Sequence, residues 1–354
     1  MEFISEYGLF LLKAITITVA ILATVGGILG MAMRQRHNHA EDTLELTSLN
    51  EKYESMQSAL KQALMDPHEQ KAAAKAEKKE KKQEAKEKAK TAKKKAKEGQ
   101  EVEAKKRLFV LDFDGDIKAS PVTEMREEIS ALLTLAGEND EVLLRLESGG
   151  GAVHSYGLAA SQLQRIRDHN IPLTVSVDRV AASGGYLMAC VADNIIAAPF
   201  AILGSIGVIA QIPNFNKILK KNDIDFEQMT AGKYKRTLTM LGENTDEARA
   251  KFQEELEEVH DQFKDFVSSR RPEMDIEKVA TGEHWLGERA LELGLVDTLQ
   301  TSDDYLMAQR ENADILLLKY TGPQTLIEKL SARMSMLMHS MGKQSREDAY
   351  PKLM

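Results

Sequence analysis

From Leu108 to Leu299 the chain alternates apolar runs of strand length with segments of helical periodicity, and this alternation leaves few folds open to it. Leu108–Leu111 opens the series, and Val142–Leu146, Leu173–Val177, Ile195–Ala198 and Val208–Ile212 are the mostly apolar runs of strands in a buried sheet. Helical patterns run over Ser155–His169, Gly185–Val191, Asn214–Leu219 and Asp246–Arg271. Strand and helix in turn imply an α/β domain built on a largely parallel sheet.

Upstream lie segments of a different kind. Residues 14–33 read AITITVAILATVGGILGMAM without a charge, enough to cross a hydrocarbon core of about 30 Å at about 1.5 Å per residue. No A-x-A cleavage site precedes the basic flank, and that flank lies on the wrong side for a removable secretory leader, so an uncleaved anchor is expected over residues 1–33. Glu2 and Glu6 precede the span while Arg34, Arg36 and many lysines follow it. The positive-inside rule then places the remainder in the cytoplasm, although long domains also translocate against it.

Residues 34–106 read as a linker. Its first part, 41–65, is expected to form a short amphipathic helix ending before Pro67. From Lys71 to Lys106 the chain is almost entirely Lys, Glu, Ala and Gln, which cannot bury enough apolar surface to make a core. Binding to anionic lipid headgroups is the alternative use of such a tract. The whole chain carries 47 Lys+Arg against 55 Asp+Glu, so the rest is strongly acidic. That charge balance, with only 5% aromatic residues, argues against a nucleic-acid partner. The single cysteine, Cys190, excludes an intramolecular disulfide framework and reads as a buried, inert thiol. Beyond residue 300 an extension to 354 carries an amphipathic, Met-rich stretch at 324–341, suited to a neighbouring subunit or a bilayer.

Several motifs within 107–300 bear on chemistry. LFVLDFDGD (108–116) places Asp112 and Asp114 after a strand, as phosphatases of the haloacid-dehalogenase type do, but Asp116 and the lack of a later paired-acid motif speak against that reading. ESGGGAVHSYG (147–157) follows a strand with three glycines that let backbone N–H groups converge at a helix start. It lacks the Lys-Ser/Thr of a phosphate loop and the spacing of a dinucleotide fingerprint. VAASGGYLMACVAD (180–193) sets Ser183 at a strand-to-helix turn, as an N-cap or as a nucleophile. GSIGV (204–208) and TAGKYKRT (230–237) complete the set.

A serine nucleophile needs a base. None of the eight histidines lies in a Ser/His/Asp pattern, whereas a lysine whose pKa falls toward neutrality can serve, which makes Lys233 and Lys235 candidates.

VAASGGYLMAC, ESGGGAV, GSIGV, AGKYKRT and TGEHWLGERALELGLVD, in that order, resemble the signal peptide peptidase A family of membrane-associated Ser-Lys proteases. The anchor, the lysine-rich tract and NFNKILKK resemble its SohB-like branch. The resemblance implies Ser183 as nucleophile, Lys235 as general base, Ser205 as the hydroxyl that hydrogen-bonds that base, and the amides of Gly184 and Gly150 as oxyanion donors. Lys233 falls at a variable position and is expected to be exposed. Where the family commonly has Ser-Pro-Gly-Gly, this chain has Ser148-Gly149-Gly150-Gly151, which leaves open which glycine donates.

The fold so implied is a crotonase- or Clp-protease-like spiral of ββα units. The implied function is a membrane-anchored serine endopeptidase of the bacterial inner membrane, acting on signal-peptide-like or other short apolar peptides through an acyl-enzyme. It needs no metal or other cofactor, and its dyad meets across subunits of a homo-oligomeric ring. Other classes compatible with these motifs are a crotonase-type acyl-CoA enzyme, which shares the oxyanion hole, and a catalytically silent membrane scaffold.

Overall fold

The computed structural model describes residues 13, 16, 18, 43–65, 105–137 and 139–322. The expected anchor, all but residues 105 and 106 of the lysine-rich tract, and the Met-rich stretch at 324–341 lie outside these residues, save for three isolated positions near the N-terminus. Among the described residues no helix is long and apolar enough to cross a membrane. The chain divides into one unit of residues 45–319 and another of 1–44 with 320–354; the architecture that follows is that of the first.

The sheet is built around β2 (Arg107–Gly115), β3 (Glu141–Ser148), β4 (Leu173–Val177) and β6 (Asn194–Ala197), all parallel. β9 (Thr298–Leu299) pairs beyond β6, while β10 (Asp314–Thr321) and then β1 (Thr43–Ser48) lie on the other side of β2. The connections carry α2 (Val122–Leu133), α3 (Val153–Asp168) and α4 (Gly184–Ala189). Successive side chains of a strand face opposite ways, and β2 sorts its own accordingly. Phe109, Leu111 and Phe113 enter the large core with Met125, Ile129, Tyr156 and Leu163, whereas Leu108 and Val110 join a smaller cluster. That cluster is closed by Leu49 of α1 (Leu49–Ala63) and Leu306 of α9 (Ser302–Gln309). With most of both faces covered, the central strands are largely apolar, and each fully buried Leu, Val or Phe contributes about 1.5–3 kcal/mol.

At the carboxyl end of β3 the sheet forks. Val142–Arg145 pair with β4, but Ser148 pairs with Ala181 of β5 (Val180–Ala182). β5 pairs in parallel with β7 (Ile202–Gly204), which pairs antiparallel with β8 (His284–Leu286), so the sheet is mixed. The fork carries both the glycine turn after β3 and the serine after β5 to one place.

Two local expectations need correction. Residues 41–65 are not one helix: β1 precedes α1, because TLELTS alternates with period two, and Ser48 then caps the helix by accepting the Glu51 N–H at 3.3 Å. Val208–Ile212 is not a strand either. β7 ends at Gly204 (φ +97) and Ser205 (φ 51), a left-handed pair that turns the chain out of the sheet and leaves Ile209 and Ile212 exposed. Between Ile206 and Val267 no residue is buried, although α5 (Asn216–Lys221) and most of α6 (Asp246–Ser268) fall in this stretch. Of the remaining short helices, α7 (Ile276–Val279) packs against α6, and α8 (Gly287–Glu292) packs beside β7, β8 and β9.

Candidate active site

Ser183 stands between β5 and α4 at φ 52 and ψ −119, a conformation that costs a non-glycine residue about 1–3 kcal/mol. The turn is held by two backbone bonds, Ser183 N–H to the Gly204 carbonyl at 2.8 Å and Leu187 N–H to the Ser183 carbonyl at 3.0 Å. Ser183 occupies the N-cap position of α4, yet its side chain makes no capping hydrogen bond. The hydroxyl is therefore not committed to its own helix, and the residue is half-buried, open to a ligand.

The glycine turn closes on this serine. Gly150 has φ +85, and a Cβ there would stand 2.6 Å from the Gly184 nitrogen and 2.8 Å from Ser183 Cβ. Only a residue without a side chain permits both that φ and that approach. The Gly150 N–H itself is given to Ser148 Oγ at 3.1 Å. Gly151, next along, lines a cavity of 170 Å³ together with Ser183 and Gly184. Apolar side chains of Val153, Leu187, Val208, Val259, Phe263 and Phe266 form most of its remaining wall.

Ser205 lies beside Ser183 by register, since Ala182 pairs with Gly204 and each serine follows immediately, both at positive φ. Its N–H reaches the Glu283 carbonyl at 2.6 Å, tying GSIG to the segment before β8. Ser183, Ser205, Gly150 and Gly184 are thus brought to one end of the forked sheet.

Lys235 is not brought there. It sits in an exposed turn closed by its own N–H to the Gly232 carbonyl at 3.2 Å, and it is not among the residues lining the Ser183 cavity. Lys233 is also exposed, as expected for a variable position, and pairs with Glu247 at 2.9 Å. Hydrogen bonds to Tyr234 and Glu247 hold its ammonium well above the ordinary lysine range. A group so stabilised as a cation is a poor base.

The other sequence candidates have structural tasks. Asp112 accepts two hydrogen bonds from Arg145 of the adjacent strand, at 2.6 and 2.8 Å. Asp116 takes the Ser120 amide and hydroxyl, both at 2.8 Å, and these lower its pKa. Burial pushes the Cys190 thiol up to about 12, the mark of an unreactive core sulfur. Among the described residues no group of His, Cys, Asp and Glu is placed to hold a metal ion.

Sequence reasoning passed over the contribution of α6 to the cavity. Val259, Phe263 and Phe266 recur at helical spacing on one face, but nothing local says that this face meets Ser183. It also passed over Ser148 and Tyr156, which lie inside a motif quoted for its glycines.

Comparison with known proteins finds the following similarities. The model of the peptidase family S49 N-terminal region matches residues 2–163, and that of peptidase family S49 matches residues 165–316. A probable protease SohB of Haemophilus influenzae is 50% identical over 99% of this chain and 99% of its own length. One from Buchnera aphidicola is 51% identical over 87% of this chain and all of its own. Among solved structures, a mutant of the 1510-N membrane-bound stomatin-specific protease with a substrate peptide matches at 15% identity and a TM-score of 0.40, covering 65% of this chain and 98% of that one.

Proposed function

This chain belongs to peptidase family S49 and is a serine peptidase, and we propose that Ser183 is its nucleophile and Lys235 of a neighbouring subunit its general base. The observation that carries the reading is the placement of Ser183: a strained, uncapped serine with Gly184 and the glycine turn packed against it at the mouth of an apolar cavity.

In the proposed reaction the neutral Lys235 amine takes the Ser183 hydroxyl proton as Oγ attacks a peptide carbonyl carbon. The oxyanion is held by the Gly184 amide and by one amide of the glycine turn: Gly150 in the family pattern, or, because the Gly150 N–H is given to Ser148 Oγ, that of Gly151, a residue that lines the cavity. Each such donor is worth about 10²–10³ in rate. The lysine returns its proton to the departing amine, and a water, deprotonated by the same lysine, releases the acyl group. Ser205, next to Ser183 in register, would orient the amine.

Lys235 lies in an exposed turn, within a stretch from 207 to 245 that has no buried residue and displays Ile209, Phe215, Ile218, Ile224, Phe226 and Met229. A surface of this kind fits a second copy of the chain, which supports a homo-oligomeric ring with sites completed across its joints. The fork of the sheet fits a crotonase- or Clp-protease-like spiral of ββα units. The apolar cavity suits short apolar or signal-peptide-like segments, and the uncharged run at 14–33 suits a single anchor in the bacterial inner membrane, with the lysine-rich tract as tether.

The test is hydrolysis of quenched fluorescent peptides by the detergent-solubilised full chain. Ser183→Ala and Lys235→Ala are each expected to abolish turnover with the oligomer intact; a Lys235→Ala protein that retains most of its activity would remove lysine from the mechanism.

A further inference from the structure

Beneath the glycine turn runs a line of hydrogen bonds whose side chains have no part in the reaction above. The Gly150 N–H donates to Ser148 Oγ at 3.1 Å, and Ser148 Oγ lies 2.5 Å from the Tyr156 hydroxyl. Tyr156 in turn donates to the Asp116 carbonyl at 2.7 Å. With that last direction set, only the Ser148 hydroxyl can supply the proton of the Ser148–Tyr156 bond; it shares that proton with the Gly115 carbonyl at 3.3 Å while accepting from Gly150, so the bonds from Gly150 to Asp116 point the same way. Aligned hydroxyls polarise one another, which stiffens the series.

The tyrosine also reaches the nucleophile from below. Its side chain is fully buried, and a Cβ on Gly184 would stand 2.4 Å from its ring. Ser148 does likewise through its carbonyl oxygen, 2.5 Å from where a Cβ on Gly185 would lie. One pair of residues, Tyr156 through its ring and hydroxyl and Ser148 through its hydroxyl and carbonyl, therefore packs against both the glycine turn and the start of α4, the two segments whose amides must face one oxygen atom.

We propose that Ser148 and Tyr156 act together as positioning residues that set the spacing between the glycine turn and the Ser183–Gly184 backbone, and hence the geometry of the oxyanion site. The inference rests on the Ser183 reading above. Neither side chain needs to touch substrate through its hydroxyl. Their effect belongs to the transition state, because a displacement of the donors weakens the hold on a developing oxyanion far more than on a ground-state carbonyl.

Tyr156→Phe keeps the buried ring and removes only the hydroxyl; Ser148→Ala removes the acceptor of the Gly150 amide. Both are compared with Ser183→Ala in the full-length oligomer, with kcat expressed per titrated active site. Tyr156→Phe is expected to lower kcat by about tenfold and Ser148→Ala by about ten- to a hundredfold, with KM within about twofold of the parent. Affinity for a peptide aldehyde, which forms a tetrahedral adduct, should fall by the same factor, while affinity for the corresponding cleaved product peptide stays unchanged. The double variant should be no worse than the poorer single one, since both break one series. Unchanged kcat in both single variants, equal losses for aldehyde and product, or multiplying effects in the double variant would each overturn the proposal. An active Ser183→Ala would instead overturn the assignment of the nucleophile, so the two failures are told apart.

Discussion

Gly150 lies so close to Gly184 that a Cβ on the first would stand 2.6 Å from the amide nitrogen of the second. Both the positive φ of Gly150 and this contact penalise any side chain, and the only relief is for the turn to move off the Ser183 backbone. Gly150→Ala is expected to cut kcat by about a hundredfold or more, the scale of losing one oxyanion donor, while circular dichroism shows the fold retained. Near-parental turnover in that variant would mean that the turn does not need its present position.

A second expectation concerns assembly. If each site takes its serine from one chain and its lysine from the next, mixing Ser183→Ala with Lys235→Ala subunits under exchange conditions restores part of the activity that both lack alone. Random mixing of equal amounts leaves about a quarter of the joints intact, because each joint needs the unmutated serine and the unmutated lysine together. No recovery after verified subunit exchange would place both groups within one chain.

The cavity offers a specificity test at Gly157. This glycine lines the wall beside Ser183, and a Cβ there would meet nothing within 4 Å. Gly157→Leu should fill part of the 170 Å³ space without displacing the core. Peptides with a bulky apolar residue before the cleaved bond are expected to lose at least about tenfold in kcat/KM, whereas those with alanine there change little. Equal loss for both would assign the cavity another role.

Acid stability should depend on Asp140. Burial raises its pKa, but hydrogen bonds from Arg107 and from the Gly137 amide outweigh that and hold the carboxyl below its usual range. A carboxylate with a depressed folded pKa stabilises the protein above its unfolded pKa, and the contribution is lost as pH falls through the folded value. Asp140→Asn is therefore expected to cost about 1–3 kcal/mol near neutrality and to flatten the loss of stability below about pH 4. Urea titrations from pH 3 to 7 measure both; an unchanged acid limb would deny the pair this part.

How far the sequence is legible follows from element length and from what covers each element. The long apolar runs at Leu108–Leu111, Val142–Leu146, Leu173–Val177 and Ile195–Ala198 coincide with β2, β3, β4 and β6, since strands packed on both faces admit few polar residues. β5, β7, β8 and β9 have two or three residues each, too few to show any period, and only pairing with a neighbouring strand makes them strands. Val208–Ile212 misleads for the opposite reason: it is mostly apolar, but none of its residues is buried. At the site, the strand-to-helix serine and the glycine run are local features and can be read directly. The hydroxyl pair and the cavity face of α6 depend on packing between segments far apart in the chain, which no local pattern records.

The long surface between Ile206 and Val267, where nothing is buried, bears on when such an enzyme is dangerous. If the amine comes from a neighbouring copy, as proposed above, a polypeptide fresh from the ribosome would carry its serine ready but nothing to arm it. Proteolytic power would then rise more steeply than abundance, faint while copies are scattered and full once they crowd together, so that the cell could govern it by supply alone.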